Sequence, residues 1–217
     1  MSEYLEAFKQ LRGDAVKINE QLGKELNIQS DQIPISVFNM IHNDLVIGIE
    51  LFSSYMKLWK NAKIKPGISD ERIEQIKDEN GQRIKQVQKI IFVSSMSSFE
   101  YVAKEYHKIH PTKLGGITRR NGRIYLRNIL EKSAEIDLIE EEQHKLWNGL
   151  LNFRNMIVHN NAISDITETY EYSNCTLVLV EEEMTQGNLL LFPNLLDWMI
   201  DAIRDWIFNI NQYKPSA

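Results

Sequence analysis

Phe38, Ile41, Leu45, Ile49, Phe52, Met56 and Trp59 recur at intervals of three and four residues, a spacing that makes one continuous apolar face only on an α-helix. At about 100° per residue the seven side chains stack into a stripe, so the sequence predicts an amphipathic helix from Ile35 to about Ala62. Such a stripe demands cover from other elements, and the flanking segments offer more helix. Residues Glu3 to Leu26 carry Leu5, Phe8, Leu11, Val16, Ile18 and Leu22 in an approximate helical pattern. They read as a packing arm (residues 1–33), set off by the polar connector Asn27 to Ile33 and by Pro34. After the Lys65-Pro66-Gly67 break, Ser69 is placed to cap a third helix whose first turn holds Asp70 and Glu71.

The third helix begins polar, from Glu71 to Gln88, and turns apolar at Ile90, Ile91, Phe92, Val93 and Met96, continuing through Phe99, Val102 and Tyr106 to a stop at Pro111. Its first half either projects from the core or reaches it through Ile73, Ile76, Ile84 and Val87 alone, with Gly81 as a candidate break. A short helix follows near Tyr125 to Lys132. Asp137 with Glu140 makes a capping-box-like start for a helix running to His159. Then the period changes to two: Tyr170, Tyr172 and the run Thr176 to Val180 flank Ser173-Asn174, predicting a β-hairpin within about 167–192, with Asn188 to Phe192 as a candidate third strand. Pro193 and Asn194 open a last helix through Leu195, Met199, Ile203, Trp206 and Ile210. The expected fold is mainly α, a helical bundle over residues 35–213 with a small β-hairpin inserted before the last helix.

Composition narrows the class of function. With 217 residues, 43% hydrophobic and 25% charged, the chain can bury one substantial core. A net charge of −5 argues against coating nucleic acid through bulk charge, so any such contact must be local. A single cysteine, Cys175, excludes an internal disulfide and fits a reducing, cytoplasmic setting. The five histidines, His42, His107, His110, His144 and His159, show no zinc-type spacing, so neither a metal nor another cofactor is expected. No stretch of 18 apolar residues exists, and no membrane partner is expected.

Two polar features stand out. The segment Thr112 to Arg123 and its neighbour Arg127 gather Lys113, Arg119, Arg120, Arg123 and Arg127. In an acidic chain that cluster is either a local phosphate-binding patch or a solvated loop balancing the Glu140-Glu141-Glu142 run. The other is the helix ending at His159. Leu146, Leu150, Phe153 and Ile157 form one stripe, and Trp147, Leu151 and Val158 a second beside it, leaving Asn148, Asn152, Asn155 and His159 on one edge. Uncharged amides and an imidazole suit a polar interface better than open water.

On that helix, Arg154-Asn155-Met156-Ile157-Val158-His159 resembles the Arg-polar-x-x-x-His signature of the HEPN superfamily, the higher eukaryotes and prokaryotes nucleotide-binding domains. The resemblance implies a metal-independent endoribonuclease cleaving RNA to 2′,3′-cyclic phosphate and 5′-hydroxyl ends, with Arg154, Asn155 and His159 catalytic. It also implies a homodimer and a toxin–antitoxin or defence setting, with an antitoxin or nucleotidyltransferase-like partner. A polar residue of the third helix, Ser98 or Glu100, is expected near the site, although the Ser94 to Ser98 run equally suits close helix packing. The same resemblance admits a non-catalytic module that binds a nucleotide or such a partner. A purely structural role remains for the pair, with Arg154 in an ion pair and His159 favoured by the helix C-terminus. Residues five apart diverge by about 140°, so Arg154 and His159 meet one phosphate only if the helix loosens or if the site is a cleft with two walls.

Overall fold

The computed structural model describes residues 2–117, 122–159, 162–185 and 190–214. In order these form α1 (Ser2–Leu26), α2 (Val37–Ile64), α3 (Asp70–Ile109), α4 (Leu126–Glu135), α5 (Glu141–His159), the hairpin strands β1 (Glu168–Tyr172) and β2 (Cys175–Leu179), and α6 (Leu191–Gln212). The chain is mainly helical with one small antiparallel hairpin before the last helix, as the alternation of periods predicts.

The long apolar stripe of α2 is buried at Phe38, Ile41, Leu45 and Phe52 and half-buried at Ile49, Met56 and Trp59. α2 packs along α3, and the approach is tight at Gly48, where an added Cβ would lie 2.2 Å from Ile91 Cδ1. α1 lies against α2 and α6, and its Phe8, Leu11, Ile18 and Leu22 join the same core. Ala15 completes that face while Val16 is exposed. Ser69 caps α3 as expected, its hydroxyl accepting from the Arg72 amide at 3.3 Å.

Three local expectations are corrected. Gly81 does not break α3, which runs unbroken for 40 residues: Asn80 and Ile84 are buried on either side of it, and Asn80 Nδ2 donates to the Tyr55 carbonyl of α2 at 3.2 Å. Tertiary anchoring there outweighs the roughly 1 kcal/mol cost of a helical glycine. Asp137 is no N-cap for α5. Its φ of 58° makes it the left-handed residue that ends α4, with the Leu138 amide donating back to Ser133 O at 2.8 Å. In the proposed third strand, Leu191 and Phe192 belong to the first turn of α6, while Asn188 and Leu189 lie outside the described residues.

The centre of the core is aromatic. Trp147 of α5, fully buried, stacks on Phe99 of α3 at 5.1 Å, and Trp206 of α6 meets Phe99 edge-on at 5.4 Å. Trp206 Nε1 donates to Ser133 Oγ at 2.9 Å, which ties α6 to α4. The hairpin closes over α5 through Tyr170 and Tyr172, and Tyr172 Oη donates to the Leu146 carbonyl at 2.8 Å. That contact needs glycine at 149, since a Cβ there would stand 2.7 Å from both Tyr170 Cγ and Tyr172 Oη.

Gly149→Ala decides the importance of this contact by its sign. Helix propensity alone would stabilise the variant by up to ~1 kcal/mol, whereas overpacking against the two tyrosines costs about 1–3 kcal/mol. A lowered melting temperature is expected, and a raised one would show that the hairpin does not grip α5.

Candidate functional site

α5 is buried on the sides that face α3, α4, the hairpin and, through Trp147 and Phe153, α6. Leu146, Trp147, Leu150, Leu151, Phe153 and Met156 are all buried, whereas Val158 is 49% exposed, so the second predicted stripe stops at Leu151. What remains outward is the edge carrying His144, Asn148, Asn152, Asn155 and His159. Sequence reasoning missed His144, which lies one turn before Asn148 on the same edge. Its Nε2 sits 3.3 Å from Asn148 Nδ2.

The motif residues divide between two environments. The Arg154 side chain turns toward α3, where Nη2 lies 3.6 Å from Glu100 Oε2 and donates to Ser97 Oγ at 3.4 Å. Ser97, not Ser98, is thus the serine at the motif arginine, because residue 97 is the one that α3 turns toward α5. Glu100 is 16% exposed and also accepts from Lys104 Nζ at 2.6 Å, so one carboxylate braces two cations. Arg154 Nε is buried without a hydrogen-bond partner among the described residues. Asn155 and His159 are exposed, and α5 stays helical through His159. Within one chain, then, the helix does not loosen to bring the imidazole round to the guanidinium, and the roughly 140° between them persists.

Asn152 belongs to another network. Its Oδ1 accepts from Arg127 Nη2 at 2.8 Å, its Nδ2 donates to Tyr170 Oη at 3.2 Å, and Tyr170 Oη donates to Glu168. Burial, helped by Glu168, pushes the Tyr170 phenol up to about 12, so it stays a neutral donor at physiological pH. Arg127, Asn152 and Tyr170 line a polar cleft at the start of α5 together with Glu140, Glu141 and His144.

Among the described residues, the members of the basic cluster turn to three different places. Lys113 donates to the Ile210 and Asn211 carbonyls at 2.7 and 2.9 Å, so it caps the end of α6. Arg127 turns to Asn152. Arg123 lines a separate cleft with Lys104, Lys108 and Tyr125. Arg119 and Arg120 lie outside the described residues. Burial beside Glu171 raises the Cys175 thiol to about 11, leaving no thiolate nucleophile at neutral pH. Among the described residues no cluster of three His, Cys, Asp or Glu could hold a metal ion, and no helix is long and apolar enough to cross a membrane.

Comparison of the chain with family models, with curated proteins and with solved structures found no match.

Glu100→Gln tests the brace on Arg154. Losing a charge-assisted, partly buried contact is expected to cost about 1–2 kcal/mol, or ~2–8 °C in melting temperature for a chain of this size. An unchanged melting curve would mean that the guanidinium is held by something other than Glu100.

Proposed function

We propose that this chain is a metal-independent endoribonuclease of the HEPN type, acting as a homodimer whose composite site sets Arg154 of one copy against His159 of the other. The observation that carries this reading is the division just described. Arg154 is braced by Glu100 and Ser97 yet keeps 26% of its side chain exposed, and His159 stands free at the end of the same polar edge. One phosphate cannot reach both on a single straight helix, but a second copy applied to this edge supplies the missing wall. Exposed Val158 beside His159, with Ile90 and Met184 along the neighbouring cleft, gives such a contact an apolar part.

The chemistry needs nothing that these residues lack. The ribose 2′-oxygen bonds to phosphorus as its proton passes to a neutral His159 imidazole, the P–O5′ bond breaks, and the leaving 5′-oxygen takes a proton from an imidazolium or from water. The products are a 2′,3′-cyclic phosphate and a 5′-hydroxyl. Arg154 offsets charge on the equatorial oxygens with its planar fork of donors, and Asn155 orients the ribose.

One observation favours the second reading, a non-catalytic module that binds a nucleotide or a nucleotidyltransferase-like antitoxin partner. Glu100 already neutralises Arg154, which is how a purely structural arginine would be treated. Kinetics separates the two. His159→Ala is expected to lower cleavage of total RNA by about 10²–10⁴-fold, and activity should persist in EDTA. Full activity in His159→Ala, or sensitivity to EDTA, would overturn the mechanism. Arg154→Lys keeps the charge but loses the fork, so a loss of ten-fold or more is the mark of shaped phosphate recognition. In sedimentation the chain is expected to run as a dimer at micromolar concentration, and a monomer would remove the composite site.

A further inference from the structure

The outer edge of α3 continues past the motif arginine. Ser97, Tyr101, Lys104 and Lys108 follow one another at intervals of four, three and four residues, which places them in line on one side of the helix. Ser97 and Glu100 touch Arg154. One turn further, Lys104 Nζ stands 5.5 Å from the centroid of the Tyr125 ring. Lys104, Lys108, Arg123 and Tyr125 then line a cleft of about 580 Å³ between the end of α3 and the entry to α4. Tyr101 is 52% and Tyr125 40% exposed, and neither ring takes part in an aromatic contact among the described residues.

Exposed tyrosine rings set among cations are what a single-stranded nucleic acid uses. Each unpaired base offers a flat face for stacking, and the backbone needs nearby positive charge. Three cations, Lys104, Lys108 and Arg123, face two carboxylates, Glu100 and Glu105, which pair with the two lysines. The local balance is positive by one charge, enough for one phosphate and too little for a duplex backbone. Glu100 connects this cleft to the motif, since it binds Lys104 at 2.6 Å and Arg154 at 3.6 Å.

We propose that this cleft is a subsite for one nucleotide of single-stranded RNA, whose base stacks on Tyr125 while its phosphate meets Lys104, Lys108 and Arg123. Lys108 lies eight residues from Glu100, about 12 Å along the helix, so one strand can occupy the cleft and still cross Arg154. The choice of RNA rests on the ribonuclease reading of the α5 motif, whereas the stacking cleft is carried by α3 and Tyr125. Recognition here is of a base face and a phosphate, which makes the subsite tolerant of sequence.

The test uses the full chain with His159→Ala to block cleavage, and a fluorescein-labelled oligouridylate followed by anisotropy. Adding Tyr125→Ala is expected to weaken binding about ten-fold or more, and Tyr125→Phe to restore it, because stacking needs the ring and not the hydroxyl. Lys104→Gln with Lys108→Gln should lower the salt dependence of log K by about 0.7, the value for one lost phosphate contact on a single strand. Duplex RNA should compete poorly. Parental binding by Tyr125→Ala, equal competition by duplex, or no binding by the His159→Ala chain would each overturn the subsite. Cleavage by wild type with unaltered binding in Tyr125→Ala removes the subsite and leaves the enzyme. Loss of binding in Tyr125→Ala with no cleavage by wild type does the reverse.

Discussion

The approach of the hairpin to α5 at Gly149 decides which side of the motif helix is left for solvent. With no side chain at 149, Tyr170 and Tyr172 settle directly on the helix backbone, and Tyr172 fastens itself to the Leu146 carbonyl. The opposite flank is taken by the stack of Trp147 on Phe99, with Trp198 closing edge-on against both Trp147 and Tyr172. Rotation of α5 about its axis would break both sets of contacts at once, and truncating a buried tryptophan alone costs about 3–5 kcal/mol. The polar edge is therefore what remains once two well-packed faces have been assigned.

Bracing Arg154 carries a cost as well as a use. Under the proposed ribonuclease reading, a guanidinium fixed by Glu100 and Ser97 would lose little freedom on meeting a phosphate, which favours preorganised stabilisation of developing charge. The same carboxylate also cancels part of the charge being offered. Glu100 divides itself between Arg154 and Lys104, at 3.6 and 2.6 Å, and the longer contact is to the arginine. A phosphate at Arg154 would thus compete with the longer of the two pairs, leaving Lys104 to hold Glu100 in place.

Elements whose pattern is local were legible in the sequence. The α2 stripe, the Ser69 cap and the hairpin about Ser173-Asn174 follow from spacing and turn chemistry, and all three hold in the fold. Features set by distant partners were not legible. Gly81 looked like a break because nothing near it in sequence announces that Asn80 bonds to Tyr55 across the α2–α3 interface. Asp137 has the chemistry of an N-cap, yet the last turn of α4 claims it in a left-handed conformation. Lys113 reads as one more basic loop residue, and only the fold brings it to the carbonyls of α6. At the motif, spacing alone showed that Arg154 and His159 diverge, but the choice of Ser97 over Ser98 depends on how α3 is turned.

An acidic chain can still meet a polyanion, because distance and salt decide which charges count. The Glu140 to Glu142 run sits at the start of α5, and Glu141 is thirteen residues from Arg154 and eighteen from His159. At 1.5 Å per residue those separations are about 20 and 27 Å. At physiological ionic strength exposed charges are largely screened beyond ~8 Å, so the acidic run sets the net charge of the molecule without setting the potential at the motif. Beside Arg154 the charge in contact is the carboxylate of Glu100, which Arg154 shares with Lys104. The acidic run acts instead on its own surroundings. It borders the cleft where Arg127 is held by Asn152, so Arg127, with carboxylates close by, is the worse placed of the two arginines to attract a phosphate, and Arg154 the better.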